Sequence, residues 1–350
     1  MQQRLPGGMA ASEFLRRHWQ RRPLLVRGAV PQIGAWPGKR KLFTLAQRAD
    51  VESRLVSCRA GHWRVAYGPL ARLARAPARN WTLLVHGVNH HCTDLEQLLR
   101  RFSFLPQARL DDVMVSFATR GGGVGPHVDS YDVFLLQASG RRHWRVWGQN
   151  KKAFEYLAES GDLLYLPPGW RHDGVALERC FTYSIGFRAP RGAELGAAFL
   201  DWLHERGLPD AAYRDPCLEP TSRPAQIPRE MVRFARTIME KVKTSRTDAS
   251  AVLGRYLTTP KPHVVFRPGR SRRPLARAEV QLDPKTQLLY SGNRFYLNGE
   301  CITVGKRHSE LLKELADRRH LPGARLARAP LANLVYDWHR AGYVRLKART

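Results

Sequence analysis

The sequence predicts a mainly β chain with α, in which an antiparallel barrel or double sheet is followed by a helical region and a small α+β module. Three observations carry this reading. Short β-branched and aromatic segments fill the first half, punctuated by Gly, Pro and Asn. After Pro190 the apolar residues change to helical spacing. Past residue 261 strand-like segments return, two of them joined by Asn298-Gly299, a hairpin-turn dipeptide.

In chain order, Trp63-Arg64-Val65-Ala66-Tyr67, Trp81-Thr82-Leu83-Leu84-Val85, Val113-Met114-Val115-Ser116-Phe117 and Asp132 to Gln137 are the strand candidates of the first half. Leu195, Phe199, Trp202 and Leu203 make one helical stripe, and Met231, Phe234, Ile238 and Val242 a second. Each has more apolar face than a lone helix can hide; packing on the barrel is the expected cover, with a dimer contact as the alternative. Leu288-Leu289-Tyr290, Arg294-Phe295-Tyr296 and Cys301-Ile302-Thr303-Val304 are strands, flanked by helices at Ser309 to Arg318 and Pro330 to Arg340. That module is of winged-helix type. Without a recognition helix rich in exposed Arg and Asn, nucleic-acid binding by it is not expected. The zones fall at 1–190, 191–260 and 261–350.

With 350 residues, 43% apolar and 25% charged, the chain can bury a substantial core. Apolar runs such as Val133 to Leu136 and Leu163 to Leu166 are strand-sized, so no membrane span is expected. The start Met1-Gln2-Gln3-Arg4-Leu5-Pro6 lacks the apolar core of a secretory signal, and a cytoplasmic location is the expectation. Cys58, Cys92, Cys180, Cys217 and Cys301 are scattered, odd in number and without CxxC spacing, which argues for reduced thiols rather than a disulfide framework or structural zinc. Charge is the unusual property: 58 Lys and Arg against 30 Asp and Glu give a formal +28. Such a surface attracts polyanions, RNA or a ribonucleoprotein first among them; the alternative is an Arg-rich composition without a dedicated site. The densest basic run, Lys261 to Arg277, holds prolines and no acidic residue and is expected to be a linker.

The chemistry is concentrated in Gly121-Gly122-Gly123-Val124-Gly125-Pro126-His127-Val128-Asp129. Residues two apart on a strand face one side, so His127 and Asp129 can offer an imidazole nitrogen and a carboxylate oxygen to one ion. A third ligand is available where the strand of Gly161 to Leu166 ends in Pro167-Pro168-Gly169 and delivers His172. Two His and one carboxylate form the facial triad that leaves three positions open on Fe(II). Zinc is the competing metal, more usually held in a closed tetrahedral site or one with a single open position.

Arg142 follows the turn Ala138-Ser139-Gly140, and alternation puts it on one face with Trp144 and Val146. An inward guanidinium needs an anion, and the distal carboxylate of 2-oxoglutarate fits its bidentate donor pair. An internal Arg–Asp pair or an Arg in water at the barrel mouth are the alternatives. Ser116 and Ser184, on predicted strands, are candidate hydroxyl contacts to the same cosubstrate or ordinary strand serines. The GGGVG run lacks the Lys-Ser/Thr and helix of a phosphate loop and is better explained as a tight turn before the ligand strand. His90-His91-Cys92 is expected to be ordinary packing.

These residues resemble the bacterial JmjC-type ribosomal oxygenases, cupin-fold enzymes that hydroxylate an arginine of a large-subunit ribosomal protein. The likeness is carried by Phe14-Leu15-Arg16-Arg17-His18-Trp19-Gln20, Arg54-Leu55-Val56-Ser57, Asn80 to Val85, Asp111 to Val146, Gly161 to His172 and Tyr183 to Pro190. The resemblance implies a double-stranded β-helix (JmjC/cupin) barrel, a helical dimerisation region and a C-terminal winged-helix-like domain. It implies His127, Asp129 and His172 as iron ligands and Arg142 as the cosubstrate anchor, with Fe(II), 2-oxoglutarate and O2 as cofactor and cosubstrates. The expected reaction hydroxylates a protein side chain, foremost the β-carbon of an arginine. The expected partners are a ribosomal protein substrate, rRNA or the ribosome through the basic surface, and a second copy of the chain. Asp111, Asp112, Asp132 and Asp173 are candidates for pairing with a substrate guanidinium, or plain turn and strand-edge residues. The segment between Trp147 and Gly161 is short for this family. The rival readings are a non-catalytic cupin-like module that binds ribosome or RNA, and a hydroxylase of a histidine residue or a small molecule.

Overall fold

The structure, a computed structural model of the chain, describes residues 3–31, 33–34, 36–71, 78–148, 152–214, 226–242, 246–270 and 273–348. Two compact units result, neither continuous in sequence: Met1–Ala189 with Pro260–Thr286 and Glu310–Thr350, and Pro190–Thr259 with Gln287–Ser309.

The first unit is built on twelve strands: β1 (Leu24–Val26), β2 (Ser53–Arg59), β3 (His62–Tyr67), β4 (Trp81–Val85), β5 (Leu110–Ala118), β6 (His127–Val128), β7 (Val133–Ser139), β8 (Arg142–Trp147), β9 (Ala153–Ala158), β10 (Leu163–Leu166), β11 (Arg171–Ala176) and β12 (Cys180–Phe187). They form an eight-stranded sheet in the order β1-β10-β7-β12-β5-β4-β2-β3 and a four-stranded sheet in the order β6-β11-β8-β9. All pairings are antiparallel, as in a double-sheet barrel.

Alternation along the central strands decides what each face does. β5 sends Val113, Val115 and Phe117 into the main core, and β12 sends Phe181, Tyr183 and Ile185 there. The interleaved residues Asp112, Met114 and Ser116 of β5, and Thr182, Ser184 and Gly186 of β12, line a cavity instead. Pairing of Ser184 with Met114 and of Thr182 with Ser116 locks this choice, because a one-residue slip would turn the polar set into the core. The core face is covered by helices Ala11–Arg17, Gly38–Ala46 and Thr93–Arg100. In the last of these Leu95, Leu98 and Leu99 are all buried, the i, i+3, i+4 stripe of an amphipathic helix. Phe14, Phe102, Phe134 and Tyr165 pack ring to ring there, and each such side chain contributes roughly 1.5–3 kcal/mol of burial. A smaller cluster, Val133, Leu135, Trp144, Val146, Leu164 and Leu166 among its members, closes the space between the sheets.

The same unit includes a three-stranded sheet of His320–Pro322, Ala278–Leu282 and Val344–Ala348 and the helix Leu331–Ala341. The basic run is not the linker expected. Residues 261–270 are irregular, as their prolines require, yet they pack within the first unit, and Lys261 pairs with Asp111 at 2.8 Å.

In the second unit, helices Gly192–Glu205, Arg229–Lys241 and Arg246–Thr258 accompany a meander of Leu288–Ser291, Arg294–Leu297 and Glu300–Thr303. Asn298 (φ +48) and Gly299 (φ +94) form its turn with both central residues left-handed, as their sequence signals. The third helix was not anticipated. The two anticipated helices are less covered than expected: Gly192–Glu205 buries none of its residues, and Leu200, Met231, Val232 and Met239 are exposed.

Candidate metal centre

The glycine-rich stretch brings β6 into place through close backbone contacts. A Cβ at Gly122 would lie 2.3 Å from the Trp81 carbonyl oxygen, and Gly125 adopts φ +81 against the Trp63 ring. β6 is only two residues long, and it pairs with β11 so that His127 lies directly opposite His172. Asp129 therefore follows the strand rather than belonging to it, a departure from the single-strand geometry expected. Its carboxylate still reaches both rings: Oδ1 is 3.8 Å from His127 Nε2 and Oδ2 is 3.7 Å from His172 Nε2. One ligand atom from each of the three residues lies within 4.8 Å of the others, the one such His/Cys/Asp/Glu group among the described residues.

Both rings are oriented by their own chain. His127 Nδ1 donates to the Gly125 carbonyl at 3.0 Å and His172 Nδ1 to that of Trp170 at 2.9 Å. A proton on each Nδ1 leaves each Nε2 lone pair free toward Asp129, the arrangement that supports metal-bound histidine. Burial pushes the His172 pKa down; the Trp170 bond opposes this, and the neighbouring His127 adds to it. The net shift is toward the neutral ring that a ligand needs.

The cavity beside this cluster measures about 660 Å3 and collects Arg142, Ser116 and Ser184 on its walls, so all six site residues read from the sequence meet there. Arg142 is 4% exposed, and its Nε has no hydrogen-bond partner. Its Nη2 meets only the Cys180 sulfur at 3.7 Å, and the guanidinium lies 5.5 Å from the Trp144 ring centroid. No carboxylate pairs with it among the described residues, so neither the internal Arg–Asp pair nor the solvated Arg describes it. Thr82 Oγ1, Trp144 Nε1 and Arg54 Nε, also buried and without partners, belong to residues that line the same cavity. Buried polar atoms without partners are costly, and four on one cavity mark the place of a polar ligand. Thr82 escaped the sequence reading, though a lone hydroxyl between Trp81 and Leu83 on an apolar strand was its signal.

The acidic candidates separate. Asp111 and Asp112 line the cavity, whereas Asp173 does not. Asp132 is spent inside the protein on Tyr165 Oη (2.6 Å), Arg109 Nη2 (2.9 Å) and Gln20 Nε2 (3.0 Å). Burial raises the Asp112 carboxyl and the charge of Asp111 raises it further, with Lys261 opposing. Burial would also raise Asp111, but Lys261 and Arg188 outweigh it and hold this carboxyl below the usual range. His90 and His91 stand apart from the metal cluster. Cys58, Cys92, Cys180 and Cys301 are free thiols, and Cys217 lies outside the described residues.

Fold and site together define a JmjC-type cupin barrel carrying a two-histidine, one-carboxylate cluster. A JmjC-domain family model matches residues 97–195, and a ROXA-like winged-helix model matches 239–345. The chain is 40% identical over 248 residues to the ribosomal protein uL16 3-hydroxylase of Escherichia coli K12, covering 66% of each chain. It is 31% identical to a probable ribosomal oxygenase of Haemophilus influenzae over 95% of this chain and 92% of that one. It superposes with a TM-score of 0.84 and 32% identity on YcfD, a ribosomal oxygenase from E. coli solved with cobalt and 2-oxoglutarate, over 96% of this chain and 98% of that one. The chain belongs to the family of JmjC ribosomal oxygenases.

Proposed function

We propose that this chain is an Fe(II)- and 2-oxoglutarate-dependent oxygenase that hydroxylates a side chain of a large-subunit ribosomal protein, at the β-carbon of an arginine. The observation that carries the reading is the buried, anion-less Arg142 in the cavity that the His127–Asp129–His172 cluster opens onto. The residues fit both groups. Two oriented Nε2 atoms and a carboxylate suit a divalent ion that keeps open positions, and Arg142 with Thr82 suits a carboxylate. Cobalt and 2-oxoglutarate in the structure of YcfD and the 3-hydroxylase activity in the name of the E. coli relative support the same assignment.

When bound, iron and 2-oxoglutarate supply the oxidising power: the cosubstrate leaves as succinate and CO2 with one atom of O2, and the other atom enters a substrate C–H bond. The protein's own part is positioning. Arg142 holds the far carboxylate by parallel N–H donors, Ser116 and Ser184 are candidate hydroxyl contacts, and Val133, Leu135 and Trp144 keep water from the reacting carbon. Asp111 and Asp112 offer the acidic wall on which a guanidinium would rest.

No helix among the described residues is long and apolar enough to cross a membrane. We place the enzyme in the cytoplasm with the ribosome as its field of action, the +28 charge favouring RNA nearby. We assign residues 191–260 to dimerisation, on the strength of their exposed apolar residues.

The test is succinate formation by purified protein with Fe(II), 2-oxoglutarate and intact ribosomal proteins, followed by mass analysis. One added oxygen on one arginine is expected, and His172→Ala should abolish it while leaving the fold intact. Succinate with the oxygen on a histidine or a small molecule moves the substrate assignment. Full activity of His172→Ala removes the cluster from the chemistry, and absence of succinate leaves a binding module.

A further inference from the structure

The basic run supplies part of a second cavity, of about 310 Å3, within the first unit. Its polar lining is Arg267, Arg270, Lys285, Arg345, His339 and Asp283. The single carboxylate is already committed. Asp283 Oδ2 accepts Arg345 Nε at 2.9 Å and Nη2 at 2.7 Å, and Oδ1 accepts the Lys285 backbone N–H at 3.0 Å. Neither Arg267 nor Arg270 has a carboxylate within ion-pair distance among the described residues. The Lys285 ammonium spends one donor on the Val265 carbonyl at 2.6 Å. Burial first, and then Arg267 and Arg48 against the opposing carboxylates, push its pKa below the ordinary lysine value. Cations gathered in this way repel one another unless an anion joins them.

His339 lines the same space. His339 is 6% exposed, its Nδ1 donates to the Val344 carbonyl at 3.0 Å, and its Nε2 is buried with no hydrogen-bond partner. It sits in the last turn of Leu331–Ala341. The backbone comes close enough to keep the walls tight: a Cβ at Gly269 would stand 2.1 Å from the His339 ring, and one at Gly342 2.3 Å from the Arg267 carbonyl oxygen. About 300 Å3 is the lower end of small-ligand cavities. Two planar guanidinium forks and an ammonium are the donor set that recognises tetrahedral oxyanions.

We propose that this cavity is a phosphate site, in which Arg267, Arg270 and Lys285 bind the oxygens of a phosphate group supplied by an RNA backbone or by a small phosphate compound. It stands apart from the oxygenase cavity and does not depend on that assignment.

The test uses the whole chain. Inorganic phosphate is titrated calorimetrically, and a short fluorescein-labelled single-stranded RNA is followed by anisotropy at several salt concentrations. Wild type is compared with Arg267→Gln/Arg270→Gln and with Arg233→Gln/Arg236→Gln, which removes the same charge from exposed positions of the helix Arg229–Lys241. One phosphate bound per chain, weakened at least about tenfold in the first variant alone, is expected. If RNA affinity falls with it and the salt slope drops by about one to two, the phosphate is that of RNA. If RNA binding is unchanged while phosphate binding is lost, the site takes a small phosphate compound. The proposal is overturned if phosphate fails to bind the wild type, or if both variants behave alike. Arg270→Gln alone, at an exposed position, gives the same reading should the double variant unfold.

Discussion

Arg142 is a cation that folding has removed from water without giving it a protein anion. Its replacement by lysine keeps the charge but loses the paired donors, so Arg142→Lys should weaken 2-oxoglutarate at least about tenfold, roughly 1.4 kcal/mol. Calorimetry with a redox-inert divalent ion decides this, and unchanged affinity would move the cosubstrate elsewhere in the cavity. His90 makes a different prediction, about stability. Burial, with His91, Lys285 and Lys261 nearby, pushes its pKa down to about 3. The unfolded chain takes up this proton near pH 6.5, the folded chain only near 3. Above pH 6.5 the residue therefore contributes no pH dependence. Below it the unfolded state binds more protons, and stability falls by about 1.4 kcal/mol per pH unit. Urea midpoints at pH 6.5 and 5.5 should fall further for wild type than for His90→Asn; parallel profiles would exclude His90 as the source.

At the scale of elements, the hinge of the site is the contact between β11 and β8. Gly174 pairs with Trp144, and a Cβ there would come within 2.5 Å of the Trp144 indole. Gly174→Ala should cost about 1–3 kcal/mol by overpacking and should also weaken 2-oxoglutarate, because the displaced indole lies against Arg142. Denaturation curves and the same calorimetry measure both effects, and a neutral outcome in each would show the strands yielding without strain. What was legible in the sequence follows from the same scale. Period-two alternation is local, so it puts Arg142 on an inward face, where the cavity lies, and Asn298-Gly299 announced its own turn. What depends on distant pairing was not legible. The pairing of His127 with His172 leaves Asp129 beyond the strand end, and the packing of 261–270 within the first unit follows from partners such as Asp111, 150 residues away. Asp132 looked like a free carboxylate because Tyr165, Arg109 and Gln20 are remote in sequence.

For the molecule as a whole, apolar side chains left in water set the expectation for assembly. Leu200 (65% exposed) and Met239 (74%) stand on helices that a monomer leaves uncovered. Light scattering after size exclusion should give twice the 39.9 kDa chain mass, and Leu200→Glu/Met239→Glu should give the single mass; a monomeric wild type would remove the dimer. The backbone carbonyls behind His127 and His172 have a further consequence. Because each ring is fastened two residues back along its own chain, and the main core is built on the eight-stranded sheet rather than on the strands that carry the rings, the socket is finished before any ion arrives. A chelator can empty such a protein without melting it, and an added ion returns to rings already facing the right way. Metal loading is then a reversible equilibrium of the folded state, set by how much free ion the surroundings offer.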